Sequence, residues 1–285
     1  MKLLAMLLAL AAERLFSPHR DAATRSGIWP ALQRLLPFPS FWRSSLMPAL
    51  FIALPTVLVL AIQRGIPGEL LRLPFEALLL FLCLGPRDLA DDVQRLRAAR
   101  SAGDSATVGR LSATLQMGPE PDADHRSLLG ALFIQSHERL FGMLWWFLAA
   151  GPAGAVLYRL ASRLPNLIED PAAPAAAGAK LIHSALAWAP ARLTALLYAL
   201  AGSMDDALAD WRHLREENSH PDWQRQTWTV LATVSSAALD WEDGGGPVVA
   251  SSLDAALAEV LRMQLRALLI LLAVTALFTA GIWFA

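Results

Sequence analysis

Cysteine is almost missing from this 285-residue chain: Cys83, inside an apolar run, is the only one. A single thiol closes no internal disulfide, so a redox framework is excluded and Cys83 reads as a small buried hydrophobe. Lysine is nearly as scarce, occurring only at Lys2 and Lys180. A phosphate-cradling GxxxxGK[ST] loop needs its lysine in frame, and Ala177 to Leu181 reads Ala-Gly-Ala-Lys-Leu, which excludes that form of ATP or GTP binding. No Gly-x-Ser-x-Gly elbow and no local Cys/His nucleophile arrangement occurs. Charge is sparse too: 17% of residues are charged, against about 25% in soluble domains. With a net charge of -1 and a pI near 6.6 the chain carries no global basic surface, and no nucleic-acid partner is expected.

Apolar residues dominate instead. They make up 55% of the chain, the mean hydropathy is +0.41, and no alternating pattern marks a β-strand. The expectation is an all-α fold: a polytopic helical membrane protein with membrane-associated helical loops, forming one membrane domain over residues 1-285. Membrane segments are expected near 46-63, 73-85, 140-158 and 267-285. The first carries no charge and includes Pro48 and Pro55; the second is short and contains Glu76. The last two are each close to the ~20 residues that cross a bilayer core. Within 140-158, Gly151-Pro152-Ala153-Gly154 reads as a kink, a close helix contact or the turn of a re-entrant hairpin. Trp145, Trp146 and Trp283 fit headgroup anchors or packing between helices.

Residues 3-16 form a short apolar helix, too short to cross alone and expected to stay in the protein as a half-span packed on the bundle. Polar helical regions are expected over 87-139 and 159-266. Inside the second, 182-202 is apolar apart from Arg192 and a few polar groups. An arginine at the bilayer centre costs from about 2.5 kcal/mol upward, so this stretch is placed at the interface or within the bundle. Arginines flank nearly every apolar end, so the positive-inside bias selects no single orientation.

His213 with Glu217, and Glu216 with His220, stand four apart, but the spacing matches no zinc signature and the segment reads as a solvated helix end. No metal and no cofactor is expected. His125, His137 and His183 lack a nearby constellation and read as surface or capping residues. The paired acids Asp91-Asp92, Asp205-Asp206 and Glu216-Glu217 point about 100° apart on a helix and are no ready acid-base couples.

The opening LLALAAERLF, the block SHERLFGMLWWFLAAGPAGAVLYRLASRL and the block LAWAPARLTALLYALAG resemble AmpE, an inner-membrane family linked in Gram-negative bacteria to β-lactamase induction and cell-wall sensing. GPRDLADDV, GPAGAVLYR and WAPARLTALL are in turn similar to the CbiB/CobD synthases, which join an aminopropanol unit to a corrinoid carboxyl group. Where those synthases carry an acidic residue and a Glu-Asn pair, this chain has Gly130, Ile134 and Gln135, and their Ser-Pro-Asn-Ala-Gly motif is missing from 212-240.

The resemblance implies a multi-pass protein of the bacterial inner membrane that takes part in β-lactamase or envelope regulation. Its partners would be the lipid bilayer and an anionic small ligand or an envelope-regulation protein. The alternative is a membrane enzyme related to the amide-forming synthase with an altered substrate. No catalytic residue is assigned. Candidate ligand-binding residues in the resembling stretches are Arg87, Asp88, Arg192 and the pairs Glu13-Arg14 and Glu138-Arg139. Arginine forks in a partly apolar bundle suit phosphate, pyrophosphate or carboxylate oxygens, and they equally suit internal ion pairs that fix helix register.

Overall fold

A computed structural model describes residues 2-16, 44-84, 89-116, 125-168, 170, 172-217, 223-239 and 250-284; the regular structure among them is entirely helical. In chain order the α-helices are α1 (Lys2–Phe16), α2 (Met47–Gly65), α3 (Glu69–Leu84), α4 (Leu89–Ser101), α5 (Ser105–Gln116), α6 (His125–Ser136), α7 (Gly142–Ala150), α8 (Pro152–Arg163), α9 (Pro174–Ala201), α10 (Met204–Glu217), α11 (Trp223–Ala237) and α12 (Ala250–Phe284). A π-helical turn, His137–Phe141, joins α6 to α7 without a break in the helix. The chain divides into two compact units: Met1–Arg87 with Gly142–Ala187, and Asp88–Phe141 with Trp188–Ala285. Three helices among the described residues are long and apolar enough to cross a membrane: Met47–Gly65, Pro174–Ala201 and Leu253–Ala280.

In the first unit α1 packs on α3 and α7, its buried face made of Ala5, Met6 and Ala9 at helical spacing. The ammonium of Lys2 donates to Leu148 O at 2.6 Å, satisfying a carbonyl in the last turn of α7. Nineteen residues give α2 a length of about 28 Å, close to the hydrocarbon thickness. Pro48 sits in its first turn, where no N–H is missed, and Leu50, Leu54, Val57, Leu58 and Ile62 are left exposed, as a lipid-facing helix requires. Helix α3 is shorter, about 24 Å, and its Glu76 is buried and held by Arg72 at 3.1 Å. The seam between α2, α8 and the start of α9 is rich in small residues: Ile52, Leu160 and Leu164 pack with Ala161, Ala175, Ala176 and Ala179. Apolar helices in lipid gain little by expelling water from each other, so close packing of alanines holds the seam.

The uncharged run 140-158 is not one helix. Gly151 adopts φ +69°, a left-handed conformation that suits glycine, and Pro152 then starts α8. Nine residues give α7 only about 14 Å of rise, so the GPAG sequence is the turn of a helical hairpin within this unit. Three residues past Gly151, a Cβ at Gly154 would lie 2.1 Å from Trp146 O, so only glycine lets the two arms approach this closely.

The second unit centres on Tyr198 of α9. Its ring meets Phe133 edge-on at 4.6 Å and Phe141 at 5.6 Å, and its hydroxyl donates to Ser136 Oγ at 2.7 Å. Helix α6 packs on α11, α5 and α12. Asp104 caps α5 by accepting the Thr107 N–H at 3.0 Å, and Thr107 holds that carboxyl below the usual carboxylate range. Thirty-five residues make α12 about 52 Å long. Its amino-terminal half carries the charges: Asp254 pairs with Arg100 at 3.0 Å, and Glu259 with Arg262 and Arg266. Arg266 also donates to Ala201 O at 2.8 Å, meeting a carbonyl at the end of α9. Over the most apolar 18-residue window of α9, 56% of residues are buried inside protein, against 22% for the α12 span, so α9 packs chiefly against protein.

Two glycine substitutions separate close approach from helix propensity. Gly154→Ala is expected to lower stability by about 1–3 kcal/mol through overpacking. Gly109→Ala, in α5 with open space around it, is expected to raise stability by up to about 1 kcal/mol. Thermal unfolding of the detergent-solubilised chain reads both, and a Gly154→Ala protein as stable as the parent would contradict the packing described.

Candidate functional site

Pro190 sits inside α9 and has no N–H to offer Leu186 O one turn earlier. The indole of Trp146 donates to that carbonyl at 3.0 Å, so Trp146 packs between helices as a hydrogen-bond donor. A second polar set follows within the other unit. Thr194 donates its hydroxyl to Pro190 O at 2.8 Å, and His137 Nδ1 lies 3.0 Å from the same Thr194 oxygen. Because the hydroxyl proton goes to Pro190, the contact requires His137 Nδ1–H to be the donor. His137 is fully buried, with the ring of Trp228 edge-on at 6.1 Å. His183 is buried too, beside Tyr158 at 6.0 Å. The expectation of surface or capping histidines is therefore corrected for both: their partners lie far along the chain and leave no local mark. The side chain of His125 and residue His220 lie outside the described residues, and His213 is exposed on α10.

The predicted charged residues go to different places. Arg87 and Asp88 lie outside the described residues. Glu13 and Arg14 stand in the last turn of α1, Glu13 half-buried and Arg14 exposed, in the first compact unit. Glu138 and Arg139 belong to the second unit and sit in the π-helical turn, inside a continuous helical run from His125 to Ala150. The π turn places Gln135 and Asp92 within reach of Arg139. Its Nη1 donates to Asp92 Oδ2 at 2.8 Å and its Nε to Gln135 Oε1 at 3.2 Å, with the two charged side chains 18% and 7% exposed. This guanidinium is engaged by a carboxylate and an amide, and the arrangement is a register-fixing pair.

Arg192 is different. It is half-buried, its guanidinium carbon lies 4.3 Å from the Trp188 ring centroid, and Nη1 donates to Trp188 O at 3.0 Å. With Arg215, Trp211, Leu214, Gln226 and Val230 it lines a pocket of about 210 Å³ between α9, α10 and α11. Among the described residues no carboxylate comes within ion-pair distance of Arg192 or Arg215. Two guanidinium groups and one primary amide line this space, and no acid is among its lining residues; such donors are chemically suited to anionic oxygens. Arg215, Trp211 and Gln226 were not singled out from the sequence. Trp211 with Arg215, and Gln226 with Val230, are spaced four apart and share helix faces, but nothing local states that these two faces meet.

The family described as "Regulatory signalling modulator protein AmpE" matches residues 1–281. Two proteins named "Cobalamin biosynthesis protein CobD" are similar. The one from Chromobacterium violaceum is 29% identical over 72% of this chain and 67% of its own length. The one from Stutzerimonas stutzeri is 28% identical over 75% of this chain and 71% of its own. No solved structure matches the chain.

Removing one member of the buried pair is expected to be costly. Arg139→Ala strands the Asp92 carboxylate and should lower unfolding free energy by about 3–5 kcal/mol, whereas Asp92→Asn combined with Arg139→Met should recover most of that loss. Denaturant unfolding of the three proteins checks it; equal stability of the parent and Arg139→Ala would show that the pair does not hold these helices together.

Proposed function

The chain belongs to the AmpE family, and we propose that it works as a multi-pass inner-membrane regulator of β-lactamase induction and envelope signalling, acting by binding and not by bond formation. The observation that carries this reading is how α6 is packed. At the positions where the resemblance puts the synthases' acidic residue and Glu-Asn pair, Gly130 lies so close to α11 that an added Cβ would stand 3.0 Å from Ala232 Cβ. Ile134 is buried, and Gln135 is occupied by Arg139. A helix face closed in this way offers no carboxylate to handle an activated acid or an attacking amine. The buried hydroxyls and the histidine nearby, Ser136, His137, Thr194 and Tyr198, hydrogen-bond one another or the backbone, which suits structure.

A second reading, a membrane enzyme with a changed substrate, is favoured by the likeness to the CobD proteins. The two separate in one host. Deleting the gene from a Gram-negative strain with an inducible β-lactamase is expected to change enzyme activity measured with and without a β-lactam inducer, and a plasmid copy is expected to restore it. The same plasmid is expected not to restore corrinoid-dependent growth to a strain lacking the cobalamin-pathway synthase. Unchanged induction together with rescue of that growth would replace the regulatory reading with the enzymatic one.

A further inference from the structure

We propose that the pocket between Arg192 and Arg215 holds a single phosphate group, supplied by the headgroup of an anionic phospholipid; this rests on the reading that the chain acts by binding. The charge balance comes first. Among the described arginines of the second unit, Arg100, Arg139, Arg262 and Arg266 each meet a carboxylate, and Arg97, Arg110 and Arg212 make no ion pair; what sets Arg192 and Arg215 apart is that they share one pocket whose lining contains no acid. Arg192 spends one of its five N–H donors on Trp188 O and keeps the fork of the others. Partial burial makes a neutralising anion worth more there than on an open surface.

Size narrows the ligand. A volume of about 210 Å³ falls below the roughly 300–1,000 Å³ of sites for drug-sized molecules, and it suits a phosphate with a small substituent. Two guanidinium groups and the Gln226 amide match the several acceptor oxygens of a phosphate better than the two of one carboxylate.

Placement favours a lipid as the source. Arg192 belongs to a helix long and apolar enough to cross a membrane, and next to it on that helix Trp188 is 46% exposed, Leu193 42% and Leu200 55%. An arginine stacked on an outward-facing tryptophan, with exposed leucines along the same helix, is the composition of a headgroup-level site with an apolar strip for the acyl chains. The adjoining α10 is polar, with Asp205, Asp206, Asp210 and Arg212 exposed, so the pocket lies where apolar and polar surface meet.

The test is native mass spectrometry of the full chain in detergent, titrated with dihexanoyl phosphatidylglycerol, dihexanoyl phosphatidylcholine or sn-glycerol 3-phosphate. One retained phosphatidylglycerol is expected. The Arg192→Gln/Arg215→Gln double variant should weaken its binding about tenfold or more, and Arg212→Gln, on the same helix but outside the pocket, should leave it unchanged. Arg215→Gln alone, altering an exposed side chain, should lose several-fold and keeps the test valid if Arg192→Gln misfolds. Displacement of the lipid by an equal concentration of sn-glycerol 3-phosphate would keep the phosphate site and overturn the lipid as its source. Equal retention of phosphatidylcholine, or undiminished binding in the double variant, would overturn the site. The regulatory reading would survive that result, because β-lactamase induction in the deletion strain tests it separately.

Discussion

A carbonyl that leaves the helical ladder in an apolar chain has to be met by protein, because lipid offers nothing to meet it. Pro190 creates that demand in α9, and the Trp146 indole meets it at Leu186 O. Similar demands arise at helix ends: Lys2 reaches Leu148 O and Arg266 reaches Ala201 O. An unmet buried carbonyl costs about 1–3 kcal/mol, as much as a core methyl group or two. Long polar side chains that reach backbone oxygens are therefore part of the framework of this protein, which explains why residues with charged or polar tips sit among apolar neighbours.

The arginines follow from the same accounting. Where a carboxylate is within reach, as Asp92 is for Arg139, the pair neutralises itself and fixes which faces of α4 and the π turn meet. Where none is, the guanidinium is left to stack on an aromatic ring and look outward, as Arg192 does over Trp188. The availability of a carboxylate thus separates one side-chain type into two settings inside one unit: an ion pair that locks helices, and a guanidinium stacked on a ring beside a pocket lined by no acid.

Much of the fold was legible in the sequence because it rests on composition and run length. The helical character of the described residues, and helices at the start and over the apolar runs 46-63 and 267-284, follow from uncharged runs measured against bilayer thickness. The break at Gly151 was visible as alternatives, and only the positive φ selects a turn among them. The buried histidines were not legible. His137 is joined to Thr194 across 57 positions, and nothing near it in sequence announces the contact. Arg192 stood out as a charge in an apolar run; Arg215 and Gln226 did not, because they come from polar helices where such residues are ordinary. A site built where three helices meet is written in their packing, which single-helix periodicity does not contain.

The π-helical turn at His137–Phe141 carries a further meaning. A helix is a screw of about 100° per residue, so one residue more or fewer in that turn swings everything after it onto another face. Leu140 and Phe141 are buried, and from the same turn Arg139 must reach Asp92. For this stretch, the count of residues is a stricter requirement than their identity: an exchange at one position disturbs one contact, while a deletion dephases the whole helix.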